Sequence, residues 1–236
     1  MSTSIMHKKY GQVQTSAAAQ RGAACYESWI MYIYDFFVLG FVNRFAWRCP
    51  TDKHLLPLFK NNIRTTHLDI GVGTGYYLKN CKIASSVKLT LSDLSPNAIR
   101  VAKLRSGRPD AGEMLWDVTQ PFPVPEGKYD KFDSVSMFYV LHCVPGPVKN
   151  KTVVFENIKN CMTADGVLTG ATVLGKGIQD NFIGKRVRAH CVADGVFDNV
   201  DDDAETFINA LRDNFNHVEV EVIGVSLVFK AVDPIF

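Results

Sequence analysis

The sequence lacks several features that mark specialised classes of protein. Its 236 residues include only six cysteines, which are widely spaced and form no CxxC pair. This spacing excludes a dense disulfide framework and zinc-type pairing, and it is typical of reduced thiols in a cytosol. The net charge is only +2 and no Lys/Arg cluster is present, so we expect no nucleic-acid partner.

The sequence also has no long apolar run. The N-terminal residues contain no apolar core of the kind found in a signal peptide. The stretch Trp29–Val42 is apolar apart from Asp35, but it is shorter than the ~20 residues that span a membrane. We expect a buried or cap helix, with an interfacial membrane helix as the alternative. These absences predict a cytoplasmic protein without stable membrane insertion.

Apolar runs that end in Gly, Asp or Pro alternate with helical patterns along the chain. Strands are predicted at 67–70, 87–93, 113–118, 132–138, 167–174, 217–224 and 225–232. A helix is predicted to start at Ser95 and Pro96, and another at 149–162, closed by a turn at 164–166. Alternating strands and helices predict an α/β fold, here a doubly wound, Rossmann-like, seven-stranded and mostly parallel sheet. The last two strands are joined by almost nothing and should form an antiparallel hairpin. We expect an N-terminal helical cap over residues 1–62 and the sheet domain over 63–236.

A glycine-rich turn follows the predicted first strand in the stretch LDIGVGTGYY. Asp69 precedes Gly71, Gly73 and Gly75, which stand at alternate positions. Glycines at the end of such a strand let the backbone approach a ligand closely. A dinucleotide-binding turn needs a third glycine where this chain has Tyr76, and an acid there repels a pyrophosphate. An acid attracts a cationic ligand such as S-adenosylmethionine.

This turn resembles the first motif of class I S-adenosylmethionine-dependent methyltransferases, and residues near later strand ends resemble the motifs that follow. The resemblance implies that Asp93 accepts hydrogen bonds from the ribose, that Leu94 packs on the adenine, and that Asp117 accepts from the adenine amino group. It also implies that residues near Met137 and Phe138 pass under the methionine part. The cofactor-binding residues expected from it are Asp69, Gly71, Gly73, Thr74, Gly75, Asp93, Leu94, Trp116, Asp117, Val118, Met137 and Phe138.

Two residues after the fourth strand are candidates for catalysis. His142 could act as a general base because imidazole titrates near neutral pH, or it could shape the loop by a local hydrogen bond. Cys143 could be a nucleophile, as in methylation of pyrimidine C5, but it has no Pro-Cys or Thr-Cys pair and is better explained as a core or pocket cysteine.

The N-terminal stretch YDFFVLGFVNRFAWRCP resembles a helix of the ubiquinone/menaquinone C-methyltransferase group, whose members act on small, often apolar molecules. The resemblance and the aromatic content predict a small, largely apolar acceptor, such as a secondary metabolite or quinone-like molecule, and S-adenosylhomocysteine as the product. Candidate acceptor contacts are Tyr34, Arg48, Tyr139 and His190. Arg48 could bind a carboxylate or could hold a helix end.

No metal is predicted. The acidic run at residues 198–203 lacks the glycine and glutamate of a calcium loop and is interpreted as a solvated helix start. Methyl transfer from a sulfonium depends mainly on positioning and desolvation, so it leaves few catalytic residues to identify. Three alternatives stay open, namely a cofactor-dependent cyclisation or rearrangement, a non-enzymatic binding module and a nicotinamide oxidoreductase. The sequence does not indicate the acceptor atom, the use of a base or the oligomeric state.

Overall fold

The computed structural model describes residues 35–124 and 130–236. In these residues, seven strands form a sheet in the order β3-β2-β1-β4-β5-β7-β6. The strands are β1 (Thr66–Ile70), β2 (Lys88–Ser92), β3 (Gly112–Met114), β4 (Phe132–Phe138), β5 (Met162–Val173), β6 (Phe215–Ile223) and β7 (Ser226–Pro234). β1 to β5 pair in parallel, whereas β7 is antiparallel to β5 and β6. The predicted fold class is confirmed.

Helices cover both faces of the sheet. They are α1 (Asp35–Ala46), α2 (Thr51–Leu55), α3 (Leu56–Asn61), α4 (Tyr76–Cys81), α5 (Pro96–Ser106), α6 (Val148–Lys151), α7 (Val153–Asn160), α8 (Phe182–Ala193) and α9 (Ala204–Asn214). On one face, α7 and α9 bury Phe155 and Phe207. On the other, α3, α4 and α5 bury Phe59, Leu78 and Ile99. Burial on both faces explains the nearly continuous apolar runs in the strands.

The start of α5 follows the cap predicted from the sequence. Ser95 has an extended backbone and its Oγ accepts a hydrogen bond from the Ala98 N–H at 3.3 Å, while Pro96 occupies the first turn. A side-chain oxygen at this position pairs one of the N–H groups that a helix start leaves free. The cap fixes where the chain turns after β2, and so fixes the direction of Asp93 just before it.

Three predicted boundaries are wrong. β3 ends at Met114, so residues 115–118 form a loop at the sheet edge instead of a strand. The helix expected over 149–162 is divided at Thr152 into α6 and α7. The turn expected at 164–166 lies within β5 as a bulge, because Phe132 is paired with Met162 and Ser134 with Val167. Pattern alone does not locate such interruptions, which depend on pairing with the neighbouring strand.

The described part of the N-terminal region contributes to the core. α1 and α2 are π-helices. Val42 and Ala46 of α1, and Trp47 just after it, are buried in one cluster with Phe197. Leu55 and Phe59 are almost completely buried on the sheet face, so residues 51–61 form a layer of the sheet domain. The cap predicted over 1–62 stays a prediction, and its first 34 residues lie outside the described ranges. Within those ranges, no helix has the length and apolarity needed to cross a membrane.

Candidate functional site

The glycine turn between β1 and α4 brings three parts of the fold close together. Gly71 and Gly75 have φ values of +69° and +71°, a region that glycine enters without strain. A Cβ on Gly71 would lie 2.3 Å from Cγ2 of Val140, and one on Gly75 would lie 2.7 Å from Cα of Ala102. Gly71 therefore lets the turn contact the segment after β4, and Gly75 lets α4 pack against α5. Gly73 also has a positive φ, of +48°.

Asp93, at the end of β2, is held in place by backbone groups. Its Oδ2 accepts a hydrogen bond from the Gly73 N–H at 3.1 Å, and its Oδ1 accepts from the Ser95 N–H at 2.9 Å. Burial raises the pKa of this carboxyl, while those N–H groups act in the opposite direction. The side chain lines a cavity at the carboxyl edge of the sheet. Its carboxylate can accept further hydrogen bonds there, such as those from two neighbouring hydroxyls of a ligand.

Asp117 lies in the loop after β3 and lines the same cavity. Its Oδ1 accepts from both the backbone N–H and the hydroxyl of Thr119, at 3.0 and 2.7 Å. In the described chain, Oδ2 has no hydrogen-bond donor, and it is free to accept from an amino group. Asn157 holds this loop by donating from Nδ2 to the Val118 carbonyl at 2.9 Å. Leu94, Trp116 and Val118 complete this end of the cavity, and the adenine site expected there stays a prediction.

Asp69 lies behind the glycine turn in a buried chain of hydrogen bonds. The Ser136 hydroxyl donates to Oδ1 of Asp69 at 2.6 Å. His67 lies 3.0 Å from Ser136 Oγ through Nε2 and 2.9 Å from Ser134 Oγ through Nδ1. Burial raises the Asp69 pKa to about 7, with Asp93 adding to the rise and Ser136 opposing it. A carboxylate so deeply buried is charged most easily when a cation lies near it.

Sequence analysis missed the other residues of this hydrogen-bond network. His67 and the two serines alternate with apolar residues along β1 and β4, in HLD and FDSVSMF. Parallel pairing places His67 beside Ser134 and Asp69 beside Ser136. Burial lowers the His67 pKa to about 3, so this imidazole is neutral. Polar residues at alternate positions of two buried strands were the signal that could have identified the network.

The end of β4 reaches the cavity through residues other than the predicted pair. The side chains of Met137 and Phe138 are buried in the cores on opposite faces of the sheet. Tyr139 and Val140 line the cavity instead. Tyr139 has φ +61°, and its N–H donates to the Ala171 carbonyl at 2.7 Å. Because the backbone turns at Tyr139, the first side chain after β4 that lines the cavity is that of Tyr139, one residue after the predicted Phe138.

His142 lines the cavity in a 3₁₀ turn, Leu141–Cys143. Its Nδ1 accepts a hydrogen bond from the Val173 N–H at 3.2 Å. Its ring lies 4.3 Å from that of Phe197 and 5.6 Å from that of Tyr139, measured between centroids. Burial, followed by the charges of Lys151 and Arg188, lowers the His142 pKa to about 3. The imidazole is therefore neutral near pH 7.

Cys143, the neighbour of His142, also lines the cavity. Desolvation by the surrounding atoms, followed by the neighbouring Cys191, raises the pKa of its thiol, although the residue keeps exposed surface. Only the thiolate is an effective nucleophile, and a reactive cysteine needs a lowered pKa. This environment therefore agrees with the interpretation of Cys143 as a pocket cysteine.

The loop after α8 forms the wall opposite β4. Val196 and Phe197 line the cavity, and the Asp198 N–H donates to the His142 carbonyl at 3.0 Å. Behind the loop, Lys151 and Asp202 form an ion pair of 2.8 Å with side chains 0% and 1% exposed. The expectation of a solvated acidic run is thus wrong for Asp202. It is correct that a helix begins here, because Asp203 caps α9 by accepting from the Thr206 N–H.

The structure does not bring two of the predicted acceptor contacts into the cavity. Arg48 is exposed and donates from Nη2 to the Gln179 carbonyl, so it joins the end of α1 to the segment before α8. His190 is 77% exposed and lies 3.3 Å from Asp194 on the outer side of α8. Of the other candidates, Tyr139 lines the cavity and Tyr34 lies outside the described residues. The position of a residue in the sequence does not determine whether its side chain faces the cavity.

Comparison with known proteins agrees with this geometry. Residues 68–168 match the family described as "Methyltransferase domain". The chain is 58% identical over 91% of its length to the physcion biosynthesis cluster O-methyltransferase of Aspergillus chevalieri, of which it covers 96%. It is 45% identical to the O-methyltransferase adaD of Aspergillus niger, with 89% of this chain and 87% of the relative covered. It is 47% identical to the N-methyltransferase vrtF of Penicillium aethiopicum over the same shares.

Solved structures share the fold. The DhpI–SAH complex superposes with a TM-score of 0.60 at 16% identity, covering 93% of this chain and 98% of that one. The N-methyltransferase NodS from Bradyrhizobium japonicum in complex with S-adenosyl-L-homocysteine gives a TM-score of 0.54 at 17% identity, covering 80% and 92%. At such low identity the likeness concerns the fold and not the acceptor.

Proposed function

The chain belongs to the class I S-adenosylmethionine-dependent methyltransferases, and we propose that it methylates a hydroxyl oxygen of a small, largely apolar aromatic molecule. The observation that carries the proposal is the division of the cavity. Asp93 and Asp117 lie at one end, and an aromatic wall of Tyr139, His142 and Phe197 lies at the other. Such a cavity, mostly apolar with few polar groups, suits a small ring system.

The residues present fit S-adenosylmethionine. Asp93 would accept from the ribose hydroxyls, Asp117 through its free Oδ2 from the adenine amino group, and Asp69 would compensate the positive charge of the methionine part. A side chain at Gly71 would meet Val140 and one at Gly75 would meet Ala102, so the turn keeps its shape beside the cavity only with glycine at both positions. When bound, the cofactor supplies an electrophilic methyl group on a sulfonium.

The contribution of this chain to the reaction is position and exclusion of water. In-line displacement requires the acceptor atom and the methyl carbon to be held in line at close range. Val140 and Phe197 present apolar surface at the acceptor end. The Lys151–Asp202 pair and the contact of Asp198 with His142 hold Phe197 beside that surface. A low-dielectric enclosure of this kind favours a step in which a cationic sulfonium becomes a neutral thioether.

The proposal includes a role for residues 1–34, which would cover the end of the cavity where the acceptor binds. Its support is the position of α1, which follows these residues and lies in one cluster with Phe197. Trp47, the residue after α1, packs on Phe197 with ring centroids 5.9 Å apart. Deletion of residues 1–34 should abolish turnover and leave the sheet folded. Deletion of residues 1–46 should also expose the cluster around Phe197 and lower solubility. Full activity of the shorter deletion would contradict the cover.

Transfer to oxygen is distinguished from transfer to nitrogen by a matched pair of acceptors. We suggest 2-naphthol and 2-naphthylamine, which have the same ring system and differ in the accepting atom. Initial rates with S-adenosylmethionine are measured by mass spectrometry of the methylated products. We expect the hydroxyl compound to be methylated faster. Faster methylation of the amine would contradict oxygen transfer and would agree instead with the activity in the name of vrtF. The cyclisation alternative is not favoured, because these relatives are named as methyltransferases.

A further inference from the structure

The two ring nitrogens of His142 have different environments. β4 ends at Phe138 while β5 continues to Val173, so the last N–H groups of β5 on that side have no strand beside them. Nδ1 of His142 takes the place of a strand carbonyl and accepts from the Val173 N–H at 3.2 Å. The Thr172 hydroxyl lies 3.3 Å from the same nitrogen. A buried backbone N–H needs such a partner, so this contact is structural.

This contact also determines the tautomer. A backbone N–H only donates, so Nδ1 must present its lone pair to Val173. A neutral imidazole has one such lone pair, and its single proton is then on Nε2. In the part of the chain that the structure describes, Nε2 has no hydrogen-bond partner, and the ring forms part of the cavity wall. The nitrogen that faces the cavity therefore offers a hydrogen and has no lone pair with which to accept a proton.

From this geometry, and resting on the proposed function, we propose that His142 is a hydrogen-bond donor to the acceptor oxygen and not a general base. The substrate class that follows is an aromatic hydroxyl acidic enough to ionise without help from the protein. A phenolate bound in this way accepts the Nε2–H hydrogen bond and keeps its other lone pairs for the methyl group.

The reaction balances without a protein base. The phenol releases its proton to solvent before the displacement. The phenolate oxygen forms a bond to the methyl carbon, the bond between sulfur and that carbon breaks, and sulfur keeps both electrons. An anion and a cation thus become a methyl ether and a neutral thioether. No proton has to leave the closed cavity during the step.

The charged groups around His142 are already paired or hydrogen-bonded within the protein, so the donor left for an acceptor oxygen is Nε2–H. The groups that face it or its surroundings are Lys151 from α6, Arg188 and Cys191 from α8, Tyr139 and Cys143 from the segment after β4, and Asp198 and Asp202 from the loop before α9. Arg188 is paired with Asp180 at 2.6 Å. Asp202 is paired with Lys151, and Asp198 accepts from the Gly146 N–H at 2.8 Å. Desolvation raises the pKa of the Tyr139 hydroxyl and, although Cys143 keeps exposed surface, also that of its thiol, so both stay protonated near pH 7.

The first test varies the acidity of the acceptor while its shape changes little. The dependence of kcat/KM for the acceptor on pH is measured with 2-naphthol and with the more acidic 6-cyano-2-naphthol. S-adenosylmethionine is kept saturating at every pH, so that the titration of Asp69 does not contribute to the profile. We expect a single limb for each compound, displaced to lower pH for the cyano compound by the difference between their own pKa values. A limb at the same pH for both compounds would report a protein base and would overturn the proposal.

The second test separates the two nitrogens of His142. His142→Asn keeps an oxygen near Nδ1 for the Val173 N–H but removes the donor at Nε2, whereas His142→Gln can place an amide N–H near Nε2. Binding of S-adenosylhomocysteine and the melting temperature show whether each variant is folded. With 2-naphthol we expect kcat to fall roughly 10- to 100-fold in His142→Asn, the scale of a hydrogen bond to a charged group, and less in His142→Gln. Equal losses in two folded variants would contradict a donor.

A spectroscopic readout makes the test independent of turnover. The absorbance of 4-nitrophenol bound with S-adenosylhomocysteine reports whether it is ionised. In the wild-type complex we expect its pKa to lie below that of the free phenol, and His142→Asn should return it towards the free value by about one unit, a tenfold change in ionisation. The same bound pKa in both proteins, or no binding of the phenol, would overturn the donor role. Binding of an ionised phenol without methylation of any hydroxyl would contradict the proposed function alone.

Discussion

The hydroxyl of Ser136 donates to Oδ1 of Asp69 across a distance of 2.6 Å, and both side chains are buried between β1 and β4. This bond is the last of a chain that begins at Ser134 and passes through His67. It orients the Asp69 carboxyl without neutralising it, because Ser136 carries no charge. The free-energy cost of burying the charged Asp69 is therefore offset only when a positively charged ligand lies near the glycine turn.

The substitution Asp69→Asn should weaken binding of the cofactor and stabilise the cofactor-free protein. The folded-state pKa of Asp69 is about 7, above the ordinary 3.8, so folding binds a proton between these pH values. Stability from this group is accordingly lost as pH rises from 3.8 to about 7. At pH 8 we expect the variant to gain ~1–3 kcal/mol in the free energy of unfolding, measured by urea denaturation. A destabilised variant at pH 8 would contradict this assignment.

The same pKa predicts a pH-dependent affinity for S-adenosylmethionine. Only the Asp69 carboxylate attracts the positive methionine part, so affinity should rise as pH increases through about 7. Isothermal titration at pH 6 and pH 8 should show about tenfold tighter binding at the higher pH. Asp69→Asn should bind weakly and almost equally at both. An equally steep dependence in the variant would exclude Asp69 as its origin.

Asp93→Ala should lower cofactor affinity by ~1.5–3 kcal/mol, the usual scale for hydrogen bonds that involve a charged group. The loss has two sources, since Asp93 faces the cavity and also accepts from the Gly73 N–H. Asp213→Ala is the matched control because Asp213 is exposed and lies on α9. Titration with S-adenosylhomocysteine should find the control unchanged. Unchanged affinity in Asp93→Ala would remove it from the ribose site.

Gly75→Ala and Gly107→Ala form a pair that separates backbone strain from packing. Their φ values are similar, +71° and +68°, so each alanine costs ~1–2 kcal/mol in the left-handed region. Only at Gly75 does the new Cβ meet backbone, 2.7 Å from Cα of Ala102, while nothing lies within 4 Å of a Cβ at Gly107. Thermal unfolding should therefore show a larger loss for Gly75→Ala, together with weaker cofactor binding. Equal losses would mean that α4 shifts freely against α5.

Lys151→Met should cost ~3–5 kcal/mol because it leaves Asp202 buried without its partner. The control is Lys88→Met, which breaks an ion pair with Asp130 whose side chains are 67% and 74% exposed, and this should cost less than ~1 kcal/mol. Chemical denaturation measures both. Since Asp202 belongs to the loop that carries Phe197, turnover should fall with stability only in Lys151→Met. Similar small losses in both variants would contradict the structural role of the buried pair.

The sequence predicted the parts of the site that depend on local patterns. The turn that contains Gly71, Gly73 and Gly75 follows a short apolar run, and Asp93 precedes a clear helix cap at Ser95. Each of these signals lies within a few residues of sequence, so it can be recognised without knowledge of the tertiary structure. The sheet and its antiparallel hairpin followed from the same alternation of patterns.

The missed parts depend on contacts between distant segments. Phe197 reaches the cavity because Lys151, far away in the sequence, holds Asp202, and no local pattern encodes that pair. Phe138 was expected at the cavity but lies in the core, because the backbone turns at Tyr139 with a positive φ. A non-glycine residue gives no sign of such a turn in the sequence. His190 was predicted from its segment alone, and the position of a residue on one face of α8 or the other depends on how that helix packs.

The most direct test of the central claim identifies the atom that receives the methyl group. The protein is incubated with S-adenosylmethionine labelled with ¹³C in its methyl group and with 2-naphthol, and the product is examined by carbon NMR. The account predicts a labelled methyl signal in the aryl methyl ether region, lost in Asp93→Ala at cofactor concentrations that saturate only the wild type. A labelled methyl bound to ring carbon, or label that stays on sulfur while the cofactor and 2-naphthol are both bound, would contradict it.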